Sequence, residues 1–134
     1  MDQTRAVQVI ANAFTAEGEP PSAGQPVLLG DNKFLTVDVQ AQNHEYGVAY
    51  LTHTELSALG TALPPRDPAM GDALQLVSGL GKSANVRILV LHDSDYMYDD
   101  QYGGSYQAST ITAERKLERD VRDFLVRAHA ERWP

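Results

Sequence analysis

Cysteine is absent from the chain, which excludes disulfide scaffolding, thiolate nucleophiles and cysteine-ligated zinc or iron–sulfur centres together. Histidine is scarce, and the four imidazoles at His44, His53, His92 and His129 show neither the HExxH nor the HxH spacing that brings two of them onto one metal. A bound metal would therefore be held mostly by oxygen. Basic residues are also in deficit, 11 against 18 acidic ones, for a net charge of −7 and an isoelectric point near 4.9. Such a surface disfavours phosphate backbones and anionic lipid, so neither nucleic acid nor membrane is expected as a partner. No apolar run approaches the roughly 20 residues that cross a bilayer. Met1-Asp2-Gln3-Thr4-Arg5 lacks the basic start and apolar stretch of a secretory signal, and the expected location is the cytoplasm.

At 134 residues, 43% hydrophobic and 22% charged, the chain has the size and composition of one globular domain spanning 1–134 with an ordinary core. Ala6, Val7, Val9, Ile10, Ala13 and Phe14 recur at helical spacing and predict a first helix. Glu17 to Pro26 holds three prolines and two glycines, which break helices and predict a connecting loop. In Phe34–Ala41 the residues Leu35, Val37, Val39 and Ala41 alternate with polar ones. That segment and Tyr46–Thr52 predict an antiparallel hairpin over about 34–52.

Thr52-His53-Thr54-Glu55 fits a capping box, with Leu56, Leu59 and the stop Gly60 completing a short helix. Met70, Ala73, Leu74, Val77 and Leu80 share a helical face, so a helix is preferred over 69–80. Gly71 and the alternation at 74–77 leave a strand open. Val86–Leu91 is nearly unbroken β-branched residues and leucine, which suits a central strand covered on both faces. Leu117, Val121, Phe124, Leu125 and Ala128 form the stripe of a long last helix, about Thr112 to Arg132. Six of the eleven basic residues sit on it, interleaved with acids at salt-bridge spacing. The element order predicts an α+β, two-layer arrangement: a small mixed or antiparallel sheet packed by the N-terminal and C-terminal helices.

The segment after the central strand, His92 to Tyr106, concentrates four carboxylates (Asp93, Asp95, Asp99, Asp100) and four of the six tyrosines (Tyr96, Tyr98, Tyr102, Tyr106). Loops at strand ends converge over a rigid base and often carry binding sites. Tyrosine adds large amphipathic contact area at low entropic loss, and Gly103, Gly104 and Ser105 supply adaptable backbone. Asp93, Asp95, Tyr96, Tyr98, Asp99, Asp100, Tyr102 and Tyr106 are therefore the expected contact residues for a basic or aromatic protein partner.

A chemical alternative places Mg²⁺ or Ca²⁺ on Asp93, Asp95 and Asp99. The nearest motifs depart from their templates. As an EF-hand loop, Tyr98 replaces the required glycine and Gly104 the closing glutamate. Gly79-Leu80-Gly81-Lys82-Ser83 is similar to the tail of a phosphate loop, but Leu76 stands where its first glycine belongs. His53 is expected in the cap of the short helix and His129 near the C-terminal dipole of the last one.

These readings combine into a non-catalytic interaction or accessory domain that uses segment 93–106 as its contact surface and needs no cofactor. The alternative is a divalent-cation-dependent hydrolase or phosphoryl-transfer enzyme centred on Asp93 and Asp95. Self-association is a further expectation, an acidic loop of one copy meeting the basic positions of the last helix on another.

Overall fold

A computed structural model describes residues 3–30, 33–42, 44–60, 75–77, 86–96 and 106–133. The fold is α+β. Helix α1, Gln3–Ala16, is followed by short strands β1, Pro21–Ala23, and β2, Pro26–Gly30. Next come β3, Lys33–Thr36, β4, Val39–Ala41, and β5, Tyr46–Leu51. Helix α2 is His53–Leu59, strands β6 and β7 are Gln75–Val77 and Arg87–His92, and α3 is Tyr106–Ala130. The larger sheet has the order β1-β4-β5-β7-β6, while β2 and β3 form a separate antiparallel pair. No helix among the described residues is long and apolar enough to cross a membrane.

The sheet is mixed because β5 and β7 run parallel, from Tyr46↔Arg87 to Leu51↔His92, whereas β4 pairs with β5 and β6 with β7 in antiparallel sense. Alternation along the two parallel strands explains why both are buried throughout their middles. Tyr46, Val48, Tyr50, Leu89 and Leu91 face α1 and α3, in one core with Ile10, Phe14, Leu117, Phe124 and Trp133. Ala49, Leu51, Ile88 and Val90 point the other way, where Val27, Leu35 and Leu59 from the β2–β3 pair and α2 cover them. The run Val86–Leu91 thus forms the doubly covered interior strand that its composition predicts.

Four elements differ from the expectations. The segment expected to be one strand over 34–41 divides at Val37 and Asp38. Val37 N–H bonds Gln25 O at 3.3 Å, on the side of β2, while Asp38 N–H bonds Val48 O at 2.9 Å, on the side of β5. Only Val39–Ala41 therefore enters the hairpin with β5, and Phe34 belongs to the smaller sheet. The loop expected over 17–26 contains β1 and the start of β2; Pro21 and Pro26 are tolerated because β1 is an edge strand and each proline begins its strand. Within 69–80, where a helix is preferred and the alternation at 74–77 leaves a strand open, Gln75–Val77 is a strand on Ile88–Val90. The open edge of β7 outweighed local periodicity there, and the rest of that stretch lies outside the described residues. The last helix begins at Tyr106, six residues before the expected start.

Close approach fixes Gly47: a Cβ there would stand 2.7 Å from both Val37 Cγ1 and Val39 O, so the β4–β5 pair needs a bare backbone at this point.

Candidate functional site

Parallel pairing brings the carboxyl ends of β5 and β7 side by side, and a polar group gathers where the chain leaves them. From β5 the chain passes through Thr52, an extended N-cap (φ −76°, ψ 164°), into α2. The Thr52 hydroxyl oxygen accepts Glu55 N–H at 3.3 Å, and Glu55 Oε1 accepts Thr52 N–H at 3.3 Å. This is the expected capping box. Glu55 Oε1 also accepts the Gln3 side-chain amide at 3.2 Å, which ties α1 to the same cluster. From β7 the chain enters a 3-10 turn, Asp93–Tyr96. Asp93 Oδ2 accepts the N–H of His53, the first residue of α2, at 3.2 Å, so the two parallel strands are joined beyond their last ladder bond.

Asp38 completes this group. Its Oδ2 accepts Tyr50 N–H at 2.7 Å, standing in for the strand partner that the chain withdraws at Val37. Burial pushes the Asp38 carboxyl up to about 6, with the Glu55 carboxylate adding to the rise; the Tyr50 N–H and the Gln3 amide counter part of it. Neither Asp38 nor Glu55 stood out in the sequence as a site residue. Asp38 is an acid in an alternating strand, which reads as a solvent-facing position, and Glu55 is marked only as part of a capping box.

The residues expected to form the contact surface divide into three groups. Asp93 lies at this strand end with one oxygen on α2. Tyr96 is only 3% exposed: its ring stands 6.2 Å from that of Tyr50, and its hydroxyl donates to Asp120 Oδ2 at 2.5 Å. The Lys116 ammonium stands 5.3 Å from the Tyr96 ring centre. Tyr96 is thus a core residue that anchors the 3-10 turn to α3, not a surface contact; tyrosine fits there because the buried phenol has a carboxylate to bond. Asp95 falls within the 3-10 turn and Tyr106 opens α3, but their side chains lie outside the described residues, as do Tyr98, Asp99, Asp100 and Tyr102 entirely. Among the described residues, no group of three or more His, Asp or Glu is placed to hold a metal ion.

A shallow groove of about 250 Å³ lies beside this end, between β3 and α2, lined by Lys33, Phe34, Leu51, Glu55 and Leu59 among others. Phe34 is 55% exposed, and the Lys33 ammonium donates to Ala58 O at 2.8 Å near the C-terminus of α2.

At the opposite end of the strands a second polar group forms around Glu19, which is 8% exposed. It accepts the Tyr46 hydroxyl at 2.8 Å on Oε1, bonds His129 Nε2, and has His44 Nε2 at 3.7 Å from Oε2. Burial alone would raise the Glu19 carboxyl, but hydrogen bonds from His129 and Tyr46 and the charges of His44 and His129 outweigh it and hold the carboxyl below its ordinary range. Burial and the Glu19 carboxylate push the Tyr46 phenol above its ordinary value. His129 does lie in the last turn of α3 as expected, and its bond to Glu19 is a tertiary contact that no local motif announces.

No protein-family model, curated protein or solved structure gives a significant match to this chain.

Proposed function

We propose that this chain is a non-catalytic interaction domain whose contact surface is the acidic, tyrosine-rich segment that follows β7. The observation that carries the reading is the double anchoring of its start: Asp93 is bonded to the N-terminus of α2 and Tyr96 to Asp120 of α3. Two of the eight expected contact residues therefore have structural duties. The contact role passes to the other six, Asp95, Tyr98, Asp99, Asp100, Tyr102 and Tyr106, which lie in the chain between Asp93 and the first turn of α3. Rigid attachment lowers the ordering entropy that a binding segment must give up. The acidic balance of the chain matches a partner with basic surface, drawn in by complementary charge.

The test is affinity capture by the full chain with cross-link mapping, repeated with Tyr98→Ala/Tyr102→Ala. Loss of the two tyrosines is expected to weaken the captured partner by about 2 kcal/mol or more, roughly a 30-fold rise in Kd. Equal binding by the double variant, or cross-links confined to other faces, would overturn the proposal. So would a thermal stabilisation by Mg²⁺, Mn²⁺ or Ca²⁺ that vanishes in Asp93→Asn, because a ligand of the folded state raises its stability; that result would transfer the segment to cation chemistry.

A further inference from the structure

Helices α1 and α3 end in the same way, and their ends are tied to each other. At the end of α1, Gly18 has φ +78°, Gly18 N–H bonds Thr15 O at 3.1 Å and Glu19 N–H bonds Phe14 O at 2.9 Å. This is a Schellman cap with glycine in the left-handed position it favours. At the end of α3, Arg132 N–H bonds His129 O at 3.3 Å and Trp133 N–H bonds Ala128 O at 3.0 Å, the same pair of bonds. Here the left-handed residue is Arg132, φ +54°, where a Cβ is unfavourable by about 1 kcal/mol. The α3 cap thus depends on outside contacts that the α1 cap does not need.

Those contacts converge on two residues. Trp133, 9% exposed, stands 5.6 Å from the Phe124 ring and 6.3 Å from the Tyr46 ring. The guanidiniums of Arg87 and Arg127 stand 4.9 and 5.8 Å from its ring centre. One turn back, His129 is bonded to Glu19 in the α1 cap. Glu19 faces His129 from α3, Tyr46 from β5 and His44 from the turn before β5. Among the charged groups nearby, Arg127 is paired with Glu131 at 2.9 Å, and Arg87 lies on the indole.

We propose that Glu19, His44 and His129 form a proton-controlled latch that fastens the C-terminal turn of α3 to the sheet, closing when the imidazoles take up protons and loosening when they release them. A carboxylate bonded to a charged imidazole gains the attraction of opposite charges in addition to the hydrogen bond, which a neutral ring does not supply. Glu19 is nearly buried, and it stands between two partly exposed imidazoles on different oxygens. Imidazoles in general exchange their proton around pH ~6.5. The carboxylate stays charged well below that range, so the latch is tightest between the two titrations. It loosens as pH rises through the imidazole range, and also in strong acid once Glu19 itself is protonated.

Trp133 is the chain's single tryptophan, and its fluorescence reports the latch directly. Acrylamide quenching of the full chain is measured at pH ~5.5 and ~8, on either side of the imidazole range, for the wild type, Glu19→Gln and His129→Gln. The wild type is expected to become more quenchable at the higher pH, as the attraction between opposite charges is lost, and both variants to lose most of that dependence. Because Glu19→Gln could fail to fold, His129→Gln, which keeps an amide donor, serves alone in that case. A wild-type quenching constant that does not change with pH, or an equal change in the variants that fold, would overturn the proposal.

Discussion

Replacing Asp38 with asparagine should stabilise the protein at neutral pH and do little in acid. In the fold this carboxyl sits at about 6 against an ordinary 3.8, with burial as the main cause. At about 1.4 kcal/mol per pH unit, holding it ionised at pH 7 disfavours the folded state by up to about 3 kcal/mol, and solvent screening reduces this to about 2 kcal/mol. The sign follows from the raised value. The folded state binds this proton more readily than the unfolded chain, so stability increases as pH falls from about 6 towards 3.8 and is constant below. Asparagine keeps an oxygen for Tyr50 N–H and brings no charge beside Glu55. Urea denaturation of wild type and Asp38→Asn is therefore expected to differ by about 2 kcal/mol at pH ~7.5 and to converge near pH ~4. A variant no more stable than wild type at neutral pH, or a difference that does not change with pH, would refute the reasoning.

Two further predictions concern the joints around the same strand end. Thr52→Ala removes the acceptor for Glu55 N–H and should lower stability by about 1 kcal/mol, with Thr52→Ser close to wild type; equal urea midpoints for all three proteins would contradict the capping role. Tyr96→Phe leaves the Asp120 carboxylate, 8% exposed, without its phenol donor, and should lower stability by about 2 kcal/mol. Because a partner-contact role predicts no such loss, thermal denaturation of Tyr96→Phe separates anchoring from surface contact.

Where local signals were complete in themselves, the sequence was a good guide. Thr52 and Glu55 stand three residues apart and bond each other, so nothing distant had to be known to place the start of α2. Ala6, Val9, Ile10, Ala13 and Phe14 are all buried on one face of α1, as their spacing demands. The unbroken apolar run before His92 could only be satisfied by cover on both sides of the sheet. Where a residue's partner lay far along the chain, periodicity misled. Val37 and Asp38 belong to one alternating pattern yet bond Gln25 and Val48 in different parts of the fold, and in Gln75–Val77, where helical spacing and alternation compete, the pairing with β7 decides for a strand. Tyr96 looked like part of a recognition loop because its neighbours are acidic and polar; Asp120, 24 residues later, draws it into the core.

Composition and spacing by themselves determined the class of the fold, the helical ends and interior strand of its core, the absence of thiol chemistry and the position of the acidic, tyrosine-rich segment, because each depends on residues adjacent in sequence or on counts alone. Only the tertiary structure decided that Asp38 replaces a strand partner at Tyr50, that Asp93 and Tyr96 are anchors, and that Glu19 meets a histidine 110 residues away. Those roles arise from burial and from hydrogen bonds between distant segments, and neither has a period or a motif to mark it along the chain.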